Sequence, residues 1–164
     1  MNAKEMMNAC FVELGPTDSV HVAACAMRDE MVGLVCICDE AHRPIGVVTD
    51  RDLVTRVCAA ERPIHSTEVV EIMSPHPITC SLDASAAEIE DLMAGRGVAR
   101  VLVTADDGRL VGVVTLAEIW HYESPLTAGH VSRRVTQRHL RVQTGSTGRH
   151  ASPPPHSASS RKTA

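Results

Sequence analysis

This sequence contains one unit twice: it aligns with itself without a gap, from about Glu5 to Ile119, when it is shifted by 66 residues. The tetrapeptide GVVT stands at Gly46–Thr49 and again at Gly112–Thr115. Further identical pairs keep the same register: Met7 with Met73, Ser19 with Ser85, Met27 with Met93, Val35 with Val101, and Arg43 with Arg109. At 164 residues the chain is long enough for two half-domains that share one core.

Each copy shows the same pattern of predicted elements. In the first copy, apolar residues recur at helical spacing along one face: Val20, Ala23, Ala24, Met27 and Met31. In the second copy, Ser85 and Glu88 have the spacing of a capping box at the start of the matching helix. Two strands follow each helix, at Val32–Cys38 and Ile45–Val48 and at Val98–Thr104 and Leu110–Val114, and a last helix starts after Thr49 or Thr115. The pattern predicts an α/β (α+β) fold in which each copy is strand–helix–strand–strand–helix.

Charge and composition divide the chain into four parts. The first repeat with its lead-in is assigned to residues 1–57, a linker to 58–70, the second repeat to 71–123 and a tail to 124–164. Residues 1–123 carry nine Lys/Arg and 20 Asp/Glu, a formal charge of −11, whereas the tail carries seven basic residues and no acidic one. Val131–Val142 favours a turn or two of helix. The rest of the basic tail is too polar to offset its ordering entropy, so the tail is predicted to be largely disordered.

Several classes of protein are disfavoured by the residues present. No apolar run approaches the roughly 20 residues of a membrane helix, and the N-terminus lacks the order of a signal peptide, so a cytoplasmic protein is expected. No HExxH, Walker loop, GxGxxG or nucleophile elbow occurs, which argues against an enzyme. Cys36 and Cys38 share a strand face and could bind a metal, but buried thiols are favoured. A zinc site in the histidines of the tail is also disfavoured, and no metal site is predicted.

The strongest motif is G-h-h-T-x-x-D, which reads GVVTDRD at Gly46–Asp52. With this motif at the end of a duplicated unit, residues 1–123 resemble a pair of CBS (cystathionine β-synthase) domains, and are similar to stand-alone bacterial pairs of the hypoxic-response type. The resemblance implies two repeats packed about a pseudo-twofold axis, with two clefts between them. It also implies adenine-nucleotide ligands, a homodimer, and a regulatory role in a stress response that acts through an unknown effector protein.

The residues of the motif have the chemistry for a phosphorylated nucleoside. Asp52 offers carboxylate oxygens to a ribose diol, and Arg51 offers a forked donor to phosphate. Thr49 can cap the next helical turn, whose first amides also suit phosphate. Capping alone is the alternative role for Thr49 and Asp52. The predicted nucleotide-binding residues are Thr49, Asp50, Arg51, Asp52, Ile78, Thr79, Val98, Arg100 and Val101.

The two clefts are not expected to be equal. The second copy reads TLAE at Thr115–Glu118, so its cleft lacks an arginine for phosphate. Arg100 stands where the first copy has Leu34, and its convergence with Arg51 favours AMP, ADP or ATP over cationic S-adenosylmethionine. A surface salt bridge is the alternative role for Arg100. The weaker second cleft is assigned to Thr115, Glu118, Val12, Val32 and Leu34.

A second hypothesis is a scaffold that dimerises, or that binds a macromolecule through its basic tail, with vestigial clefts. The tail has no aromatic residue for base stacking, and the body is acidic. Nucleic acid is therefore an unlikely partner, and a solvated tail or a protein-docking arm is favoured.

Overall fold

The computed structural model describes residues 1–122 and 129–136. The first repeat contains α1 (Ala3–Met6), β1 (Glu13–Leu14), α2 (Val20–Asp29), β2 (Leu34–Cys38), β3 (Pro44–Thr49) and α3 (Asp50–Asp52), which continues as a π-helix over Leu53–Cys58. The second begins with a 3₁₀ turn (Val69–Glu71) and contains β4 (Ser74–Pro75), β5 (Thr79–Ser81), α4 (Ala86–Arg96), β6 (Arg100–Thr104), β7 (Leu110–Thr115) and α5 (Leu116–Tyr122). A last helix, α6, covers 129–136.

The predicted topology is confirmed in both repeats. One sheet has the strand order β1-β2-β3-β4 and the other has the order β5-β6-β7. In each, a parallel pair (β1 with β2, β5 with β6) is followed by an antiparallel pair (β2 with β3, β6 with β7). Ser19 and Ser85 cap the long helices, as the sequence of the second repeat predicted for Ser85.

The two repeats exchange the segments that precede them. β4, from the second repeat, pairs with β3 of the first, with Ser74 opposite Val47. At the matching place, Asn8 of the first repeat exchanges two backbone hydrogen bonds of 2.9 and 3.0 Å with Val113 of the second. Because Asn8 corresponds to Ser74 and Val47 to Val113 under the 66-residue shift, the two exchanges are related by a pseudo-twofold axis.

Two glycines allow this exchange. A methyl group added to Gly46 would overlap Sδ and Cγ of Met73, and one added to Gly112 would overlap the same atoms of Met7. The glycines of the duplicated GVVT motif therefore leave room for one methionine from the other repeat. The sequence showed that the glycines repeat, but not that a methionine crosses over each of them.

The core has three parts. One lies between α2 and the first sheet, and a second lies between α4 and the second sheet. The third lies between the repeats, where Cys36 and Cys38 pack with Leu102, Leu110 and Val113. The strand faces that meet here place β2 against β6 and β7, as the resemblance implied.

Helix α6 extends the second repeat. Val131 and Val135 are only 3% and 4% exposed and belong to its core, and Trp120 Nε1 donates to Ser132 Oγ at 2.9 Å. The turn or two of helix that Val131–Val142 favours is thus present over 129–136, and it packs on the body, which the sequence did not predict. The rest of the predicted disordered tail lies outside the described residues.

Replacing Gly46 or Gly112 with alanine is expected to lower the free energy of unfolding by about 1–3 kcal/mol, because the new methyl group displaces the crossing methionine. Gly95→Ala is the matched control, since a Cβ at this position meets no atom within 4 Å. Urea unfolding of the three variants tests this expectation. Gly95→Ala, inside the helix α4, should be as stable as the wild type or up to about 1 kcal/mol more stable. Stability of Gly46→Ala and Gly112→Ala equal to that of the wild type would show that the methionines move aside without cost.

Met31 has a left-handed backbone with φ of 53°, and its side chain is 92% exposed. It follows α2 as Gly97 follows α4, and in both places the next amide bonds back to the helix, Val32 to Met27 and Val98 to Met93. Met31→Gly is therefore expected to stabilise the protein by about 0.5–1 kcal/mol. Gly97→Met should destabilise it by a similar amount. A lower melting temperature for Met31→Gly would contradict the assignment of strain to this residue.

Candidate functional site

A cleft of about 600 Å³ lies between the two repeats. The first repeat contributes apolar strand residues and the end of β3, the junction contributes residues 74–78, and the second repeat contributes the turn from α4 into β6. The lining residues are Leu34, Val47, Thr49, Asp52, Ser74, Pro75, His76, Pro77, Ile78, Arg96, Gly97, Val98, Ala99, Arg100 and Leu102. The cleft is therefore assembled only when both repeats are in place.

Thr49 and Asp52 form a capping box at the end of β3. Thr49 Oγ1 accepts from the Asp52 amide at 3.2 Å, and Asp52 Oδ2 accepts from the amide and hydroxyl of Thr49 at 2.9 and 2.7 Å. Asp52 Oδ1 lies 3.3 Å from Arg56 Nε. A carboxylate has about four acceptor positions, and the two Thr49 hydrogen bonds and the Arg56 ion pair use at most three of them. Capping and a place in the cleft, which the sequence offered as alternatives, occur together.

The cations of the cleft are only partly those predicted. Arg100 lines the cleft. A Cβ atom built on Gly33 would lie 3.6 Å from Arg100 Nη2 and 3.4 Å from Asp50 Oδ2. Arg51 is exposed and lies outside the lining residues, because it sits about 100° around the helical turn from Asp52. Arg51 therefore does not join Arg100 in the lining of this cleft. Arg96, from the last turn of α4, supplies the second guanidinium group instead.

Of the other predicted residues, Ile78 and Val98 line the cleft, whereas Asp50, Thr79 and Val101 do not. Val101 is fully buried in the core of the second repeat. Alternate residues of a strand face opposite sides, so Arg100 and Leu102 face the cleft and Val101 faces away. Asp50 and Thr79 are exposed.

Sequence reasoning missed two charged or titratable residues of the cleft, Arg96 and His76. Arg96 could have been found from the 66-residue shift, which pairs it with an acidic residue, Glu30, as it pairs Arg100 with Leu34. His76 lies between two prolines with φ of 55°, a left-handed backbone conformation that is uncommon outside glycine. Nothing in the sequence places its side chain at the cleft. Neither Arg96 nor Arg100 has an ion pair within residues 1–122 and 129–136.

A second cleft, of about 360 Å³, is lined by Met6, Met7, Asn8, Ala9, Ala117, Glu118, His121 and Tyr122. Glu118 accepts from the amide of Thr115 at 2.8 Å and from its hydroxyl, so the capping pattern is kept. Of the five residues assigned here from sequence, only Glu118 lines this cleft. Leu34 lines the first cleft instead, because β2 faces the second repeat across the core between the sheets. Val12, Val32 and Thr115 are in neither lining.

The cysteines are arranged for packing. Burial, helped by the nearby charge of Glu13, raises the pKa of the Cys36 and Cys38 thiols to about 12. Both thiols therefore stay protonated near neutral pH, where a metal ligand would be a thiolate. Elsewhere, Cys25 Sγ lies 3.6 Å from His21 Nε2, and the His21 ring contacts that of His65. The described part of the chain contains no group of three His, Cys, Asp or Glu side chains placed to bind one metal ion.

A family model for the CBS domain matches residues 3–58 and again residues 69–119. The chain belongs to the CBS domain family. Both matches fall on the duplicated unit, and each ends beyond the capping box of its repeat. In the part of this CBS pair that the structure describes, no helix is long and apolar enough to cross a membrane.

Three relatives are similar over most of this chain. YlbB of Bacillus subtilis is 36% identical over 117 residues, 71% of this chain and 78% of its own. Hypoxic response protein 1 of Mycobacterium tuberculosis is 32% identical over 117 residues, 71% of this chain and 81% of its own. MK0525 of Methanopyrus kandleri is 34% identical over 113 residues, 69% of this chain, but the chain spans only 58% of that protein.

Solved structures share the fold. Hypoxic Response Protein I with two coordinated zinc ions aligns with a TM-score of 0.69 and 31% identity, over 76% of this chain and 100% of that one. The CBS domain protein PAE2072 of Pyrobaculum aerophilum, complexed with AMP, has a TM-score of 0.68 and 21% identity, over 81% and 99%. The cytosolic domain of the Mg²⁺ channel MgtE, in complex with ATP, has a TM-score of 0.65 and 25% identity, over 74% and 48%.

The thiols are expected to react in two classes. Cys10 and Cys58 are exposed and should react with Ellman's reagent at pH 8 in the folded protein. Cys36 and Cys38 should react only after denaturation, since burial both hides them and raises their pKa. Cys10→Ser and Cys58→Ser assign the fast phase. A fast phase that survives in the double variant, and is lost on Cys36→Ala, would contradict the assignment of Cys36 to the core.

Proposed function

We propose that this chain is a regulatory module that binds an adenine nucleotide, AMP, ADP or ATP, in the first cleft. The observation that carries the proposal is that one cleft brings together Asp52 of the first repeat and Arg96 and Arg100 of the second. A carboxylate suits sugar hydroxyls, and guanidinium groups suit phosphate oxygens. The proposal assigns no catalytic step to the chain.

The shape of the cleft supports a nucleoside. Apolar side chains from both repeats, among them Val47, Ile78 and Val98, lie between the polar residues. A cleft of about 600 Å³ with apolar walls and a few polar groups is typical of small-molecule sites. The lining contains no Phe, Tyr or Trp side chain, so a base would be held by aliphatic contacts, backbone groups and the imidazole ring of His76. The AMP and ATP complexes of proteins with this fold support the choice of ligand.

The charge of the cleft supports a phosphorylated ligand. Two arginines without ion pairs among the described residues favour an anion, and they disfavour cationic S-adenosylmethionine. At the matching positions the first repeat has Glu30 and Leu34, and the lining of the second cleft contains no Lys or Arg for phosphate. We therefore assign nucleotide binding to Thr49, Asp52, Ile78, Val98, Arg96 and Arg100. The second cleft, with Glu118, is assigned at most weak binding.

The response is assigned to a partner. Ligand in this cleft contacts both repeats and the junction between them, so it can favour one relative placement of the repeats over another. We propose that a cytoplasmic homodimer passes this change to an effector protein, as part of a stress response.

Isothermal titration with AMP, ATP and S-adenosylmethionine tests the proposal. The wild-type chain should bind AMP or ATP at one site per chain and bind S-adenosylmethionine more weakly. Asp52→Ala and Arg100→Leu should each weaken nucleotide binding about tenfold or more, since each removes a charged hydrogen-bonding group. Asp52→Asn, which keeps an oxygen for the Thr49 contacts, separates loss of charge from loss of the cap.

Glu118→Ala and Arg51→Ala are the matched controls, one at the position of Asp52 in the second repeat and one outside the cleft lining. Both should bind the nucleotide as the wild type does. Absence of binding to the wild type, or affinities of Asp52→Ala and Arg100→Leu equal to that of the wild type, would refute the site.

A further inference from the structure

The side chain of Arg56 joins the first cleft to the segment that connects the repeats. Its Nε lies 3.3 Å from Asp52 Oδ1, its Nη1 donates to the carbonyl oxygen of Ile72 at 2.5 Å, and its Nη2 donates to Ser74 Oγ at 3.3 Å. Asp52 and Ser74 both line the cleft. One guanidinium group therefore fixes a carboxylate of the first repeat relative to the lead-in of the second.

This arrangement occurs in one repeat only. Arg56 lies in the π-helix Leu53–Cys58, a rare conformation that is frequent at functional sites. The matching residues of the second repeat, as far as the structure describes them, belong to the α-helix Leu116–Tyr122, in which Tyr122 occupies the position of Arg56. A phenol has one hydroxyl, whereas a guanidinium group has five N–H donors in a rigid fork.

The carboxylates of the two repeats differ accordingly. Asp52 is held on Oδ2 by Thr49 and on Oδ1 by Arg56. Glu118 is held on Oε2 by Thr115, and it has no ion pair in the part of the chain that the structure describes. It also has one more rotatable bond. The carboxylate of the first repeat therefore has partners on both of its oxygens, whereas that of the second has partners on one.

We propose that Arg56 is a positioning residue that makes the first cleft selective for a ribose over a deoxyribose. The inference rests on the proposed function, because it assigns the sugar to Asp52. A sugar hydroxyl donates a hydrogen bond to the acceptor position that Thr49 and Arg56 leave open. A sugar without this hydroxyl leaves a buried acceptor unpaired, which is the strongest way for a site to reject an analogue.

The test compares AMP with 2′-deoxy-AMP and 3′-deoxy-AMP by isothermal titration. The wild type should prefer AMP over at least one of the deoxy ligands by about tenfold. In Arg56→Met, which keeps the length of the side chain but none of its donors, this preference should fall to about twofold, mainly through weaker binding of AMP. Arg56→Lys should lie between, since an ammonium group can pair with Asp52 but cannot hold three acceptors. Tyr122→Phe is the matched control and should keep the wild-type preference.

The outcomes separate this inference from the proposed function. If Arg56→Met keeps the wild-type preference, binds AMP more tightly, or weakens all three ligands by one factor, Arg56 has at most a structural role and the inference is wrong. Should Arg56→Met fail to fold, the preference measured for Arg56→Lys decides in the same way. A wild type that binds all three ligands equally overturns the inference and leaves the proposed function standing. A wild type that binds none of them overturns both.

Discussion

The reciprocal crossing of two short segments is the contact on which the rest of the structure depends. Ser74 pairs with Val47, and Asn8 pairs with Val113, so each sheet is completed by the lead-in of the other repeat. Backbone hydrogen bonds of this kind fix register, because a slip by one residue would turn every side chain to the wrong face. The first crossing also carries residues 74–78 along the wall of the cleft. The segment that completes the first sheet therefore also forms part of the wall of the cleft.

The same symmetry explains how one backbone gives two different clefts. Both repeats keep the glycine under the methionine, the capping threonine and an acid three residues later. These residues set the position of strands and helix, and they are shared. The residues that differ lie in or beside the first cleft. Arg96 and Arg100 line it, and the first repeat has Glu30 and Leu34 at the matching positions. Arg56 is paired with Asp52 of the lining, and the second repeat has Tyr122 at its position. The two clefts therefore differ in their side-chain chemistry although the backbones of the two repeats match.

The topology could be predicted from the sequence because a gapless 66-residue shift doubles every local signal. Ser85 with Glu88, and Thr49 with Asp52, mark helix starts whose hydrogen bonds depend only on neighbours in the chain. The long helices and strand pairs follow from the same local signals. The internal repeat does not predict the contacts between the two copies, such as the packing of the Met73 side chain over Gly46.

The differences between the predicted site residues and the linings of the clefts have one physical cause. Strands β2 and β6 are buried on both faces, so their apolar residues do not alternate with polar ones, and their sequences do not indicate which face Val101 or Leu34 occupies. The prediction of Arg51 rests on its place beside Asp52 in the chain, but adjacent residues on a helix point in different directions. Arg96 is distant in sequence from the motif Gly46–Asp52, but it lines the same cleft as Thr49 and Asp52. In each of these cases, the packing of one repeat on the other decides which residues line the cleft.

A pair with one cationic cleft has a simple consequence for regulation. Linkage between two ligands requires two occupied sites whose states affect each other. The lining of the second cleft contains Glu118 and no Lys or Arg, so this cleft does not attract the anion for which the arginines of the first cleft are suited. Binding within one chain should then follow a single-site curve. Any cooperativity in the response has to arise between chains, through whatever surface joins a second copy or a partner, because the chain alone does not offer two equivalent sites to couple.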